Sequence, residues 1–228
     1  MNMKFLAAAA VLAAASIVGS ASAATLNSSM TTTGSFDLKI YNFDAGGSAD
    51  AAAATEANIA AQAGNLVFSG TYTGDLSFFL DTPGGAPTIA EFLATGGGSL
   101  IGFSGANFND LILSDGAGSS DPVFGTTTFF DFSAEITSSL FGTVTHDDGI
   151  SLLDDGVTVA SSAPPTTVLD TDYAFNGGVF RLIYAAANGD PSVLNVDVQA
   201  VPLPATLFLM LGALGGLGVM SRRRRAAA

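Results

Sequence analysis

The chain has 228 residues, no cysteine, no tryptophan, one histidine, and twenty acidic residues against seven basic ones. All twenty acids lie between Asp37 and Asp197, where only Lys39 and Arg181 oppose them, so that stretch carries a formal charge of −18. Such a surface repels nucleic acid and anionic head groups, and the missing cysteine excludes disulfides, thiolate zinc sites and a cysteine nucleophile.

The first residues read as an export signal. Lys4 supplies a positive start, Phe5 to Val18 is apolar, and Ala21-Ser22-Ala23 is a small-x-small cleavage pattern. This predicts a secretory signal helix over 1–23, passed to the Sec export machinery and cut after Ala23. The expected mature body, 24–200, is long enough to build a core without cross-links.

Within that body, short runs rich in Val, Ile, Phe and Thr alternate with Gly, Asn, Asp and Ser. They predict strands over 35–42, 65–72, 76–80, 111–114, 126–132, 140–145, 150–153, 157–161, 179–184 and 193–198. Two helices are expected between them. One spans the Ala-rich segment 48–62 with Ser48 as N-cap. The other opens on the capping-box pattern Thr88-Ile89-Ala90-Glu91 and stops at Gly96-Gly97-Gly98. Asn188-Gly189-Asp190-Pro191 reads as a turn joining the last two strands as a hairpin. Many strands and few helices predict a mainly β fold, an antiparallel β-sandwich.

The last residues form a third part, 201–228. Val201-Pro202-Leu203-Pro204-Ala205 leads into an uncharged apolar run to Met220, followed by Ser221 and Arg222, Arg223, Arg224 and Arg225. The uncharged stretch has the ~20 residues that a transmembrane helix needs. The arginines act as a membrane stop on the cytoplasmic side, which places the body beyond the membrane. Pro202 and Pro204 hold Val201 and Leu203 in extended geometry, the form a protease site accepts. Motif, apolar helix and Arg cluster together resemble the PEP-CTERM sorting signal in its VPLPA variant; Leu203 stands where the commoner form has Glu. The resemblance implies processing by an exosortase-type sorting peptidase and delivery to the cell surface or extracellular matrix.

One internal stretch stands out. His146-Asp147-Asp148-Gly149 closes a strand, a short apolar strand follows, and Asp155-Gly156 turns into the next. A late Phe180-Arg181-Leu182-Ile183-Tyr184 strand and Ser192-Val193-Leu194 complete the pattern. Together, over 130–198, it resembles PA14-like β-sandwich domains. In the sugar-binding branch of that family paired aspartates hold calcium through a cis peptide, and Asp147 and Asp148 match the pair. The resemblance implies calcium as cofactor and extracellular polysaccharide as partner. Calcium takes six to eight oxygens, so another loop must contribute. Asn188 and Asp190 are candidates for it, and a plain hairpin turn also accounts for them. A turn with Asp capping backbone N–H groups likewise accounts for Asp147 and Asp148.

Catalytic patterns are absent. The sequence has no Gly-x-Ser-x-Gly elbow, phosphate loop, dinucleotide fingerprint or metalloprotease helix. A lone histidine beside an acidic turn is expected at the surface, and the phenylalanines at strand spacing are expected in the core. The reading is a non-enzymatic exported protein, structural or adhesive. A carbohydrate-active hydrolase delivered by the same signal is the alternative.

Overall fold

The computed structural model describes residues 34–200, apart from Gly84, Ala106 and 116–123. The expected signal peptide with Ala21 and Ala23, the Val201–Ala205 motif and the Arg222–Arg225 stop lie outside the described residues. Among those described, no helix is long and apolar enough to cross a membrane.

Eleven strands follow one another as β1 (Gly34–Asp44), β2 (Leu66–Gly74), β3 (Ser77–Leu80), β4 (Ser99–Ser104), β5 (Thr126–Ile136), β6 (Leu140–Asp147), β7 (Ile150–Asp154), β8 (Val157–Ser162), β9 (Leu169–Phe175), β10 (Gly178–Ala186) and β11 (Ser192–Ala200). They form a seven-stranded sheet, β4-β2-β1-β5-β10-β7-β8, and a four-stranded sheet, β3-β11-β6-β9. Every pairing is antiparallel. The expectation of a mainly β antiparallel sandwich with few helices therefore holds.

The core follows the period of two. Phe36, Leu38 and Ile40 of β1 point inward with Phe130 and Phe132 of β5 and Leu182 and Tyr184 of β10. The smaller sheet answers with Phe78, Val144 and Leu194. Phe78 stacks on Phe132 at 6.0 Å between ring centres, and Phe92 stacks on Tyr184 at 5.7 Å. The phenylalanines mostly fill this core, as expected. A second, smaller cluster lies on the outer face of the large sheet, where Ala52, Ala54 and Ile59 cover Tyr41, Phe129 and Ile183.

The capping-box helix forms as expected. It is α2 (Ile89–Thr95), with Thr88 and Glu91 satisfying each other's backbone N–H groups. The Ala-rich helix is shorter than predicted: α1 covers only Glu56–Ala61, and its N-cap is Thr55, not Ser48. Burial of Ala52 and Ala54 against the sheet, with Ala54 N–H bonded to Ala163 O, outweighs helix propensity there. The strand expected at 111–114 is a single bridge, Thr88 to Ile112. Two strands were not predicted. β4 carries a glycine in its middle and β9 alternates Asp170 and Asp172 with Thr171 and Tyr173, so both read as loops. The last hairpin does not form, since β10 belongs to the large sheet and β11 to the small one.

Candidate functional site

That missing hairpin creates the site. β6 pairs with β11 in the small sheet, and β7 pairs with β10 in the large one. The chain therefore changes sheets twice at the same place, at Asp147-Asp148-Gly149 and again at 187–191. A third change of sheet, between β8 and β9, brings residues 163–168 to the same end. Gly149 lets this third corner approach: a Cβ there would lie 2.0 Å from Ala163 O. The backbone then locks, with Asp148 N–H donating to Ala185 O and Ala185 N–H donating to Gly149 O.

Asp148 is the hub of the three corners. Its side chain is 1% exposed. Oδ2 accepts from Ala187 N at 2.6 Å and Asn188 N at 3.0 Å, and Oδ1 accepts from Thr166 N at 3.3 Å. Asn188 Nδ2 donates to Thr166 O at 3.1 Å and ties the second corner to the third. Burial pushes the Asp148 carboxyl up from 3.8 to about 7; neighbouring Asp147 adds to the rise, and the three backbone donors pull against it.

Asp147 is held differently. The Asp147–Asp148 peptide is cis, the geometry that the family resemblance implied. Tyr184 Oη donates to Asp147 O at 2.5 Å. The Asp147 side chain is 4% exposed, and its Oδ1 is buried with no hydrogen-bond partner. Burial raises this carboxyl from 3.8 to about 6. A buried carboxylate oxygen without a donor calls for a proton or a cation.

His146 corrects an expectation. It is fully buried, not at the surface. Nδ1 donates to Asp148 O at 2.5 Å, a carbonyl that can only accept, so Nε2 accepts from the Thr171 hydroxyl at 2.8 Å. Burial lowers its pKa, which keeps the ring neutral. Neither nitrogen meets a serine or a carboxylate, so no Ser-His-Asp arrangement forms around it. His146 props the acidic corner from below.

The structure thus brings Asp147, Asp148 and Asn188 together and leaves Asp190 apart, its Oδ1 accepting from Thr82 Oγ1 at 3.3 Å. Thr166 and the backbone of Ala187 are parts of the site that the sequence did not signal. Among the described residues no three acidic or histidine side chains converge on one point. Any cation here must therefore draw on Asp147 Oδ1, the Asp148 carboxylate, the Asn188 amide oxygen and backbone carbonyls. That all-oxygen set suits calcium in kind.

No family model and no curated protein matches this chain. Among solved structures it is similar to the PA14 sugar-binding domain from an RTX adhesin, at 13% identity and a TM-score of 0.43, over 72% of this chain and 97% of that one. It is also similar to the PA14 domain of the MpAFP antifreeze protein, at 15% identity and a TM-score of 0.48, over 73% of this chain and 86% of the other.

Proposed function

We propose that this chain is an exported, non-enzymatic surface protein that holds one calcium ion at the Asp147–Asp148 corner and adheres through it to extracellular polysaccharide. The observation that carries the reading is Asp147 Oδ1, a carboxylate oxygen buried without a donor beside a second, firmly anchored carboxylate. Asp147, Asp148 and Asn188 would hold the ion. Bound calcium supplies a hard centre that accepts hydroxyl oxygens. With two carboxylates and one amide the corner fills less than the six to eight positions calcium takes, which leaves room for sugar hydroxyls. The −18 body fits a cation-dependent role.

Delivery belongs to the two ends. The signal peptide takes the chain through Sec, the apolar tail halts it in the inner membrane, and an exosortase-type peptidase releases it near Val201–Ala205 to the surface or matrix. Calorimetric titration of the full-length chain with calcium tests the site. One ion per chain is expected, with the heat lost in the Asp147→Asn, Asp148→Asn double variant. Binding of matrix polysaccharide should strengthen with calcium, and that gain should vanish in the same variant. No calcium heat, or equal heat in the variant, refutes the assignment.

A further inference from the structure

Among the described residues, the outer face of the seven-stranded sheet is only half covered. Residues 45–65 close one half over Tyr41, Phe129 and Ile183. The other half is an open groove of about 500 Å³, lined by Asp37 and Lys39 of β1, Ser69 and Thr71 of β2, Ser133 of β5 and Arg181 of β10. That volume falls within the ~300–1,000 Å³ of ligand sites. We propose that this groove, with the edge strand β4 beside it, is a second carbohydrate-binding surface that takes a neutral pyranose chain without metal.

Strand register arranges the chemistry in two rows. In one, Phe103 stands opposite Ser69, Ser69 opposite Lys39, and Lys39 opposite Asp131. In the other, Ile101, Thr71, Asp37, Ser133 and Arg181 follow one another across five strands. Each row starts from a bare apolar side chain on β4 and continues across hydroxyls and charged groups. Phe103 is 68% exposed and Ile101 74%. Leu100 packs on the core, so strand alternation turns Ile101 and Phe103 to the groove side. With strands ~4.8 Å apart, Phe103 and Lys39 lie about 10 Å from each other across the sheet.

Lys39 and Arg181 are the sole cations between residues 24 and 200, and both line this groove. Their roles differ. Arg181 is fixed, with Nε donating to Asp131 Oδ1 at 2.8 Å, Nη2 to Asp131 Oδ2 at 3.0 Å and Nη1 to Glu56 at 2.6 Å. Among the described residues Lys39 makes no ion pair and Asp37 accepts no side-chain bond. One free donor, one free acceptor and three hydroxyls therefore face solvent beside an exposed ring. A pyranose has the matching halves: a rim of hydroxyls that both donate and accept, and an apolar C–H face that lies on an aromatic ring. Polyanionic chains are disfavoured by the −18 body.

Strands β2 and β4 also approach closely here. Gly70 and Gly102 pair so closely that a Cβ on Gly102 would lie 2.5 Å from Gly70 Cα. β4 is an uncharged edge strand with two large apolar groups in water, an arrangement that proteins normally suppress. A ligand that covers those groups accounts for it.

This surface stands apart from the calcium corner. Arg181 and Ala187 are six residues apart along one strand and its end, about 20 Å at the usual rise. Isothermal titration of the full-length chain with cellohexaose, mannohexaose and hexagalacturonate, in excess chelator, tests it. At least one neutral hexamer should bind, at least tenfold more weakly in Phe103→Ala and several-fold more weakly in Lys39→Ala, and unchanged in Asp147→Asn, Asp148→Asn. Both groove substitutions sit on exposed side chains, and a melting curve checks each fold. Three outcomes overturn the proposal: no neutral hexamer binds in chelator; binding survives both groove variants; or Phe103→Ala alters only self-association, which makes β4 a contact between copies. Binding that appears only with calcium and is lost in the aspartate variant likewise overturns it while supporting the corner. Chelator-resistant binding without any calcium heat does the reverse.

Discussion

Replacing Asp147 with Asn probes whether its carboxylate is buried uncompensated. Burial raises this group from 3.8 to about 6. A carboxyl with a raised folded-state pKa binds its proton more tightly when folded, so its stabilising contribution is complete below pH 3.8 and is lost as pH rises to about 6. At ~1.4 kcal/mol per pH unit, ionising it costs the fold about 3 kcal/mol above that window. The Asn amide has its own burial cost, which is the same at every pH and cancels between two of them. In chelator, the variant should therefore gain about 3 kcal/mol on wild type between pH 3 and pH 8. At ~2–4 °C per kcal/mol for a domain of this size, melting temperatures followed by circular dichroism should diverge by about 6–12 °C. Calcium at pH 8 should restore wild type, since a ligand at one hundred times Kd adds ~2.7 kcal/mol. It should leave the variant where it was. Magnesium should do less, because it keeps its waters and demands octahedral geometry. Parallel pH profiles in chelator, or equal calcium gains in both proteins, would refute the reasoning.

His146 should behave with the opposite sign. Its pKa is lowered by burial, so stability is lost as pH falls below 6.5, and nitrogen NMR should show a neutral ring protonated on Nδ1 at pH 6.5. Arg181→Ala leaves Asp131, 8% exposed, without its partner; a loss of about 3 kcal/mol in urea unfolding is expected, with little recovery in Arg181→Lys, which cannot form the two-pronged contact. For the tail, Pro202→Ala with Pro204→Ala should leave full-length protein in the inner membrane, as read by fractionation and intact mass. Normal trimming of that double variant would remove the motif from recognition.

Much of the sandwich can be read from local pattern. In β1, buried Phe36, Leu38 and Ile40 alternate with exposed Asp37 and Lys39, and this alternation alone marks them as core. Thr88 and Glu91 announce α2 because their bonds close within four residues. Asp155-Gly156 announces the β7–β8 turn because both residues take positive φ, at 48° and 80°. Where partners are distant, local pattern fails. The Ala-rich 48–54 segment is held by the sheet beneath it, and β9 is a strand because Asp170 and Asp172 find Thr145 and Thr143 on β6.

The acidic corner divides along the same line. Its two aspartates are visible in the chain as a pair after a strand. Their burial, the backbone donors of Ala187 and Asn188, and the contact with Thr166 are not, because they depend on which sheet each strand joins. A turn such as 187–191 specifies that the chain bends; which edge the next strand meets is set by burial of apolar faces far apart in sequence. β11 pairs with β3 and β6, not with β10, and that choice stacks three corners on Asp148. The groove follows the same rule: Phe103, Lys39 and Arg181 come from three separate strands, and only the order of strands in the sheet lines them up on one face.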